Sequence, residues 1–389
     1  MENKERALAH VEKIEWIRPI EGADNIELIG VLGWVCIAKK GEFNVGDMAV
    51  YIEIDSKCPE TDERFAFLVN KKFKVKTMKL GKFKVISQGL ALPLSLFPEL
   101  QDKNIGDDVT EALKITYASE EDAARKTNKV DPNAKYKSMA KRRPKLFANP
   151  IIRRIMRYSI GCKIMFLLFG RKKDNPKKFP DWIVKTDETR IENAPFYLQS
   201  TEKWIKTEKC DGTSCTFAVD RLKKGKNKFD FIVCSRNVRQ ADREQACYHE
   251  SNIYWELADK YDIEKILTQF ATENDYNRVV LQGEGVGSVQ GNPYKLTENK
   301  LFVFNLIIDG TRLGTVEMAD FCNSHGLTSV PIIDTAYELP KTMEEMKLEA
   351  DGYSELNPKV KREGFVYRDI SGQKSFKNVS REYLLKHNG

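Results

Sequence analysis

A chain of 389 residues with 41% hydrophobic content has room for two or three domains and enough apolar surface for packed cores, which excludes a disordered chain. The net charge of +7 is concentrated: the stretch 117–180 alone carries +13, a block that suits either a polyanionic partner or a solvated linker. Eight cysteines with no Cys-x-x-Cys pair, and only four histidines, argue against a structural zinc site. Scattered single cysteines and a charged N-terminus without an apolar stretch predict a reducing, intracellular location, cytoplasm or nucleus, with no secretory signal.

Residues 1–115 read as short strands: Ala7–Ile17, Ile26–Leu32, Val35–Ala38 and Met48–Ile54, separated by turn-rich breaks. Strands at this spacing predict a small barrel. A further strand is predicted from Lys72 to Lys79, with Phe73, Val75 and Thr77 inward and Lys72, Lys74 and Lys76 outward. Such a lysine face suits a polynucleotide backbone; protection of a sheet edge is the alternative.

Residues 116–180 form the basic connector. A helix is predicted from Pro150 to Phe169, since proline suits a first helical turn. Ile151, Ile152, Ile155, Met156, Ile160, Ile164 and Leu168 make one apolar face, read as packing between domains. The unbroken run Ile164–Phe169 is too short to span a bilayer, so no membrane is expected.

Residues 181–389 alternate strands and helices in an α+β pattern with antiparallel sheets. Strands are predicted near Trp204–Lys209, Cys215–Val219, Phe229–Ser235, Val279–Glu284, Lys300–Ile308 and Gly364–Arg368. Helices are predicted near Tyr248–Tyr261, Ile263–Glu273, Met318–His325 and Met343–Ala350.

The stretch Lys206–Ser214 reads as strand, tight turn, strand, because Asp211-Gly212 favours a turn. Lys209 then stands just before the turn, either as a solvated hairpin lysine or as a nucleophile of lowered pKa. Downstream come Ser235-Arg236-Asn237, a glycine-flanked Glu284, Phe302–Asn305, Glu363-Gly364 and Ser375–Lys377, each at the end or within a predicted strand.

In this order the set resembles the covalent nucleotidyltransferase superfamily of ATP-dependent ligases and mRNA-capping enzymes. Lys209–Gly212 is similar to motif I, Ser235–Asn237 to motif Ia, Glu284 to motif III, Phe302–Asn305 to motif IIIa, Glu363-Gly364 to motif IV and Ser375–Lys377 to motif V. Glu208 directly before the lysine resembles the RNA-ligase-2-like branch. The short stretch after Lys377 leaves no room for the further barrel of DNA ligases and capping enzymes. Segments such as Lys40–Phe43, Val45–Asp47, Tyr51–Asp55 and Ser87–Leu90 resemble the OB-fold domain that precedes the catalytic domain in RNA ligases of the Deinococcus and Naegleria type. Lys185–Ile191 is similar to the segment upstream of motif I in that group. Motif V departs from the family's Lys-x-Lys: Ser375 holds the first position and Lys374 is displaced by one.

The resemblance implies an ATP-dependent RNA ligase that joins a 5′-phosphate end to a 3′-OH end, acting in RNA repair, with no obligate protein partner. It implies Lys209 as the nucleophile, with Glu284, Glu363 and Lys377 as its catalytic companions. Glu208, Asp211, Gly212, Ser214, Arg190, Arg236, Phe304 and Lys374 would bind ATP, with Phe304 stacked on adenine. Asp211, Glu284 and Glu363 would hold Mg²⁺ or Mn²⁺, directly or through waters. On this reading the barrel and its Lys72, Lys74 and Lys76 serve the RNA, and the last domain alone serves ATP. The alternatives are another nucleotidyltransferase, capping mRNA or sealing DNA, and a nucleic-acid-binding protein with a dead catalytic domain.

Overall fold

The structure is a computed structural model that describes residues 6–118, 146, 149–156, 158–169, 177–223, 227–240, 252–289 and 291–387. The chain divides into two compact units, Ala118–Asn175 and the rest, so the segments 1–115 and 181–389 lie in one unit.

The N-terminal part is a curled, five-stranded antiparallel sheet of order β3-β2-β1-β4-β9. Its strands are β1 (Ala9–Pro19), β2 (Ile26–Val31), β3 (Trp34–Lys39), β4 (Met48–Ile52) and β9 (Leu90–Pro93). The curl comes from β1. Its first half pairs with β4 through Ala9–Lys13, its second half pairs with β2, and the register shifts between Ile14 and Trp16. A bulge of this kind bends a strand and raises its twist. The half-barrel's inner core runs through Ile14, Ile29, Val31, Trp34 and Tyr51 and is completed by Val379 and Leu384, far along the chain.

The strand predicted over residues 72–79 is broken. Lys72 caps the 3₁₀ helix Glu63–Lys71, and both Lys72 (φ 53) and Phe73 (φ 59) are left-handed, which no extended strand accommodates. What remains is β5 (Ser56–Lys57) paired with β6 (Lys74–Val75), then a separate hairpin, β7 (Met78–Leu80) with β8 (Val85–Ser87). The alternation survives the break: Val75 and Thr77 are buried, Lys72 is exposed, and Lys74 and Lys76 are half-buried. A last short strand, β10 (Thr116–Tyr117), pairs with β5.

In the unit Ala118–Asn175, the single helix predicted from Pro150 to Phe169 is two, Pro150–Ile155 and Ser159–Phe169. Pro150 opens the first, capped by Asn149, whose Oδ1 accepts from the Ile151 N–H at 2.9 Å. The excess positive charge of the stretch 117–180 falls largely outside the described residues. Among the described residues no helix is long and apolar enough to cross a membrane.

The C-terminal part holds two further sheets. The larger has the order β11-β15-β14-β13-β16-β17-β18, with β19 parallel to β17. Its members are β11 (Lys177–Lys178), β13 (Thr213–Arg221), β14 (Phe229–Cys234), β15 (Val238–Arg239), β16 (Arg278–Val286), β17 (Lys300–Ile308), β18 (Thr311–Arg312) and β19 (Thr328–Ser329). Period-two alternation sends Cys215, Phe217 and Val219 of β13 against helices Ile253–Lys260, Ile263–Glu273 and Thr315–Ser324, and Ala218 into a core on the other face. The first of these helices was predicted to begin at Tyr248; residues 248–251 lie outside the described residues. The smaller sheet, β20-β12-β21-β22, contains β12 (Trp204–Glu208), β20 (Ile332–Tyr337), β21 (Gly364–Asp369) and β22 (Ser375–Val379).

The tight hairpin predicted around Asp211-Gly212 does not form, because β12 and β13 belong to different sheets. Residues 209–212 are a crossover between the two sheets.

Candidate active site

The crossover fixes Lys209. The Glu208 N–H donates to the Pro331 carbonyl at 2.9 Å, and the Lys209 N–H donates to the Gly364 carbonyl at 3.0 Å. The strand end is thus held on both sides before the chain leaves the sheet. Cys210 then buries itself with Val286, Tyr294, Phe302 and Val330, and the Asp211 N–H donates to the Tyr294 hydroxyl at 2.7 Å. Gly212 is required for proximity rather than for an unusual φ: a Cβ there would lie 2.4 Å from the Gly285 carbonyl oxygen.

Three carboxylates meet the lysine. Glu363 stands at the start of β21, where Gly364 has φ +149 and packs so tightly that a Cβ would come within 2.1 Å of the Asn378 carbonyl. That close packing presents Glu363 to Lys209, whose Nζ donates to Glu363 Oε1 at 2.6 Å. Glu284 lies on β16 opposite Ser214 of β13 and Phe302 of β17. Asp211 follows directly in the crossover and is bonded by the Tyr383 hydroxyl.

The electrostatics follow from burial and crowding. Burial pushes the Lys209 amine down, but Glu363 and Glu284, with Asp211, outweigh it and hold the lysine above its ordinary value. Burial pushes Glu284 up to about 8, opposed by Lys209 and reinforced by Glu363 and Asp211. Glu363 is raised for the same leading reason, burial.

Close enough to act on Lys209 and Glu363, Lys377 of β22 donates from Nζ to Asp187 Oδ1 at 2.6 Å, and Arg236 reaches Asp187 Oδ2 at 3.2 Å. Burial lowers the Lys377 amine to about 8 against the pull of Asp187. Asp187 is held well below the usual carboxylate range: burial opposes this, and Lys377, Arg236 and Arg6 prevail. Its segment is pinned along its length. Thr186 and Ser214 share a hydroxyl hydrogen bond of 2.9 Å, Glu188 accepts from Arg368 at 2.9 Å and from Ser375, and the Lys377 N–H donates to the Thr189 carbonyl at 2.8 Å. Arg190, 6% exposed, donates to Asp55 Oδ2 of the half-barrel at 3.0 Å.

Two more residues lie at the crossover's edge. Glu208 is buried, its Oε2 accepting from the Glu355 N–H at 2.7 Å and its Oε1 without a protein partner. Phe304 is the extra residue of a bulge in β17, between the pairs Gly283–Val303 and Gln282–Asn305, and packs onto the cluster around Cys210.

Lys374 is not brought to this cluster. It is exposed and bonds Glu202 at 2.9 Å, because it precedes β22 and points away from the Ser375–Lys377 face. Ser375, first in the segment that resembles motif V, bonds Glu188 instead. Lys72, Lys74 and Lys76 lie on the half-barrel, outside the cluster. Sequence reasoning gave no role to Asp187, Asp55, Tyr294 or Tyr383. Asp187 sits within the Lys185–Ile191 resemblance and Asp55 within the Tyr51–Asp55 resemblance, which were the available signals; nothing local marks Tyr294 or Tyr383.

The donor set suits a divalent cation. Three carboxylates crowd one amine, and two of them, Glu284 and Glu363, are driven toward their protonated forms, first by burial and then by the neighbouring carboxylates. Oxygen donors of this kind match Mg²⁺ or Mn²⁺. Among the described residues no three acidic, histidine or cysteine groups form a ready-made metal cage, so water or phosphate would complete the shell.

Residues 202–385 match the RNA ligase family model, and residues 8–94 match an OB-fold domain model. The chain is similar to solved structures of Naegleria gruberi RNA ligase. The structure with PPi is 31% identical with a TM-score of 0.75, covering 98% of this chain and 99% of that one. A point mutant with ATP and Mn is 30% identical with a TM-score of 0.74 and the same coverage. No curated protein matches the sequence.

Proposed function

The chain belongs to the RNA ligase family and is an ATP-dependent RNA ligase, in which we propose that Lys209 is the nucleophile and that the reaction runs in three transfers. In the first, Lys209 Nζ bonds to the α-phosphorus of ATP, the Pα–O–Pβ bridge breaks, and pyrophosphate leaves. In the second, an oxygen of the RNA 5′-phosphate displaces the lysine from AMP, and the amine regains its proton. In the third, a 3′-OH attacks the activated 5′-phosphorus, losing its proton as AMP leaves.

The observation that carries this reading is Lys209 Nζ 2.6 Å from Glu363 Oε1, with Lys377 close by and held by Asp187. The amine must be neutral to attack, and Glu363 Oε1 is the nearest acceptor for its proton. Lys377 and Arg236 offer positive charge where a triphosphate needs it. Glu208, Gly212, Ser214, Arg190 and Phe304 are proposed to line the nucleotide site, with the ring of Phe304 against adenine. A divalent cation, held by Glu284, Glu363 and Asp211 with waters, would lower the lysine's pKa and neutralise phosphate charge when bound. Lys72, Lys74 and Lys76 are proposed to meet the RNA backbone. The end chemistry, 5′-phosphate to 3′-OH, and a role in RNA repair are parts of the same proposal.

The test is incubation with α-labelled ATP or GTP, followed by nicked RNA. An AMP adduct and sealing are expected. A GMP adduct would indicate capping chemistry, and no adduct a dead domain.

A further inference from the structure

Between the half-barrel and the catalytic part, within one compact unit, lies a cleft of about 460 Å³ that the reaction scheme does not use. One wall carries Trp16 and Arg18 of β1 with Lys84 and Gln88 around β8; the facing wall carries Lys347 and Arg381. Four of these six are basic, and of them the buried Lys347 already faces Glu192 at 3.6 Å. The one acidic residue in the lining, Glu344, is engaged by Arg381 at 3.1 Å.

The floor is built. Gln88 and Lys347 are each 2% exposed. Lys347 Nζ donates to Gln88 Oε1 at 3.1 Å, and the Gln88 amide Nε2 is buried with no hydrogen-bond partner. A buried donor without a partner is costly, so it marks a place where an acceptor is wanted. At the rim Trp16 lies across Gly30, where a Cβ would come within 2.1 Å of the indole, and the Arg18 guanidinium sits 4.5 Å from the ring centroid.

The cleft therefore offers a stacked arginine–tryptophan platform, an inner donor and a cationic rim. The matching ligand is a planar heterocycle with an acceptor edge and phosphates attached, which is a nucleotide. Bases splayed from a single strand are read by stacking on aromatic rings or arginine planes. Lys347 Nζ lies 5.5 Å from the Trp34 ring, and Arg190 Cζ lies 5.8 Å from the same ring, so one indole separates the cleft floor from an arginine of the proposed ATP site.

We propose that this cleft binds one unpaired nucleotide of the RNA substrate, its base on Arg18 and Trp16, its acceptor edge toward Gln88 Nε2, and its phosphates at Arg18, Lys84 and Arg381. The proposal rests on the RNA ligase reading.

The test uses the full chain and two RNAs: a nicked duplex with an unpaired 4-thiouridine beside the nick, and a fully paired nick. Irradiation of the first should cross-link peptides containing Trp16 or Lys347. Arg18→Glu combined with Lys84→Glu should raise its Kd about tenfold or more, the scale of one stacked base with its phosphate contacts. The paired nick should be bound nearly as well as by the wild type, and lysyl-AMP formation from ATP alone should be unchanged. Trp16→Phe should retain binding of the unpaired nucleotide and Trp16→Leu should lose it. Equal loss on both RNAs, unaltered binding of the first, or cross-links mapping only elsewhere would overturn the proposal. A wild-type protein that fails to adenylylate or seal would instead condemn the RNA ligase reading, so the two failures are separable.

Discussion

Arg190 and Asp55 are 135 residues apart in the chain and 3.0 Å apart in space. The arginine belongs to the catalytic part and the aspartate to the half-barrel, so an acid of one fixes a cation of the other. Arg190 has two further nitrogens, Nε and Nη1, buried without partners. Asp55→Ala would leave a buried cation unpaired, which typically costs about 3–5 kcal/mol. The melting temperature and the yield of lysyl-AMP should both fall. An unchanged adduct yield would show that Arg190 has no part in holding the nucleotide.

Removing residues 1–115 gives a stronger version of the same test. The sequence suggests that this would spare adenylylation, but Val379 and Leu384 complete the half-barrel's core. The truncated chain should lose lysyl-AMP formation and RNA joining together. Circular dichroism would report the loss of fold, and a well-folded, fully adenylylating fragment would refute the shared-core argument.

Glu284 makes the metal-free protein sensitive to pH. Burial raises its carboxyl to about 8 from an ordinary 4.5, so the folded state holds a proton that the unfolded state has released. That contribution is complete below the unfolded value and is lost as pH rises through about 8. Thermal melts in chelator should show stability declining from pH 5 to 8.5, and Glu284→Gln should flatten the decline. Parallel slopes for the two proteins would remove Glu284 as the cause.

Lys209→Ala should abolish the AMP adduct, and Lys209→Arg should do the same because a guanidinium stays charged. Cys210→Ala should keep the adduct. The thiol is buried among Val286, Tyr294, Phe302 and Val330, so its loss should cost only about 1 kcal/mol of stability through a small cavity. Gel electrophoresis of labelled protein reads all three variants, and an adduct surviving in Lys209→Ala would sink the assignment.

Changing Lys72, Lys74 and Lys76 to Ala should weaken RNA binding and make its salt dependence shallower by about two units of slope, while ATP alone still labels the protein. Filter binding across a salt series checks this. An unaltered slope would return these lysines to protection of a sheet edge.

Much of the catalytic part was legible because its strands alternate with period two and its helices carry clear starts; Lys300–Ile308, Ile263–Glu273 and Met343–Ala350 fall where the pattern puts them. The motif residues were legible as a set because nucleotidyl transfer needs an amine, acids and cations in a fixed order. Three things were hidden. Asp211-Gly212 looks like a turn, yet the glycine serves a crossover between sheets, and only the approach of Gly285 reveals this. The run after Lys72 alternates like a strand, but two left-handed residues break it. Asp55 and Asp187 fall in segments that resemble the family, but their roles come from partners, Arg190 and Lys377, that only tertiary structure supplies.

Val379 and Leu384 also set an order of assembly. The ribosome delivers the half-barrel's strands first and these two side chains much later, so a growing chain carries an unfinished apolar core through most of its synthesis. Nearly the whole polypeptide must emerge before that core closes. By the same route Lys377 and Tyr383 arrive late, and Asp187 and Asp211 wait for them. A stalled or prematurely ended chain would thus lack both a sealed half-barrel and a complete site.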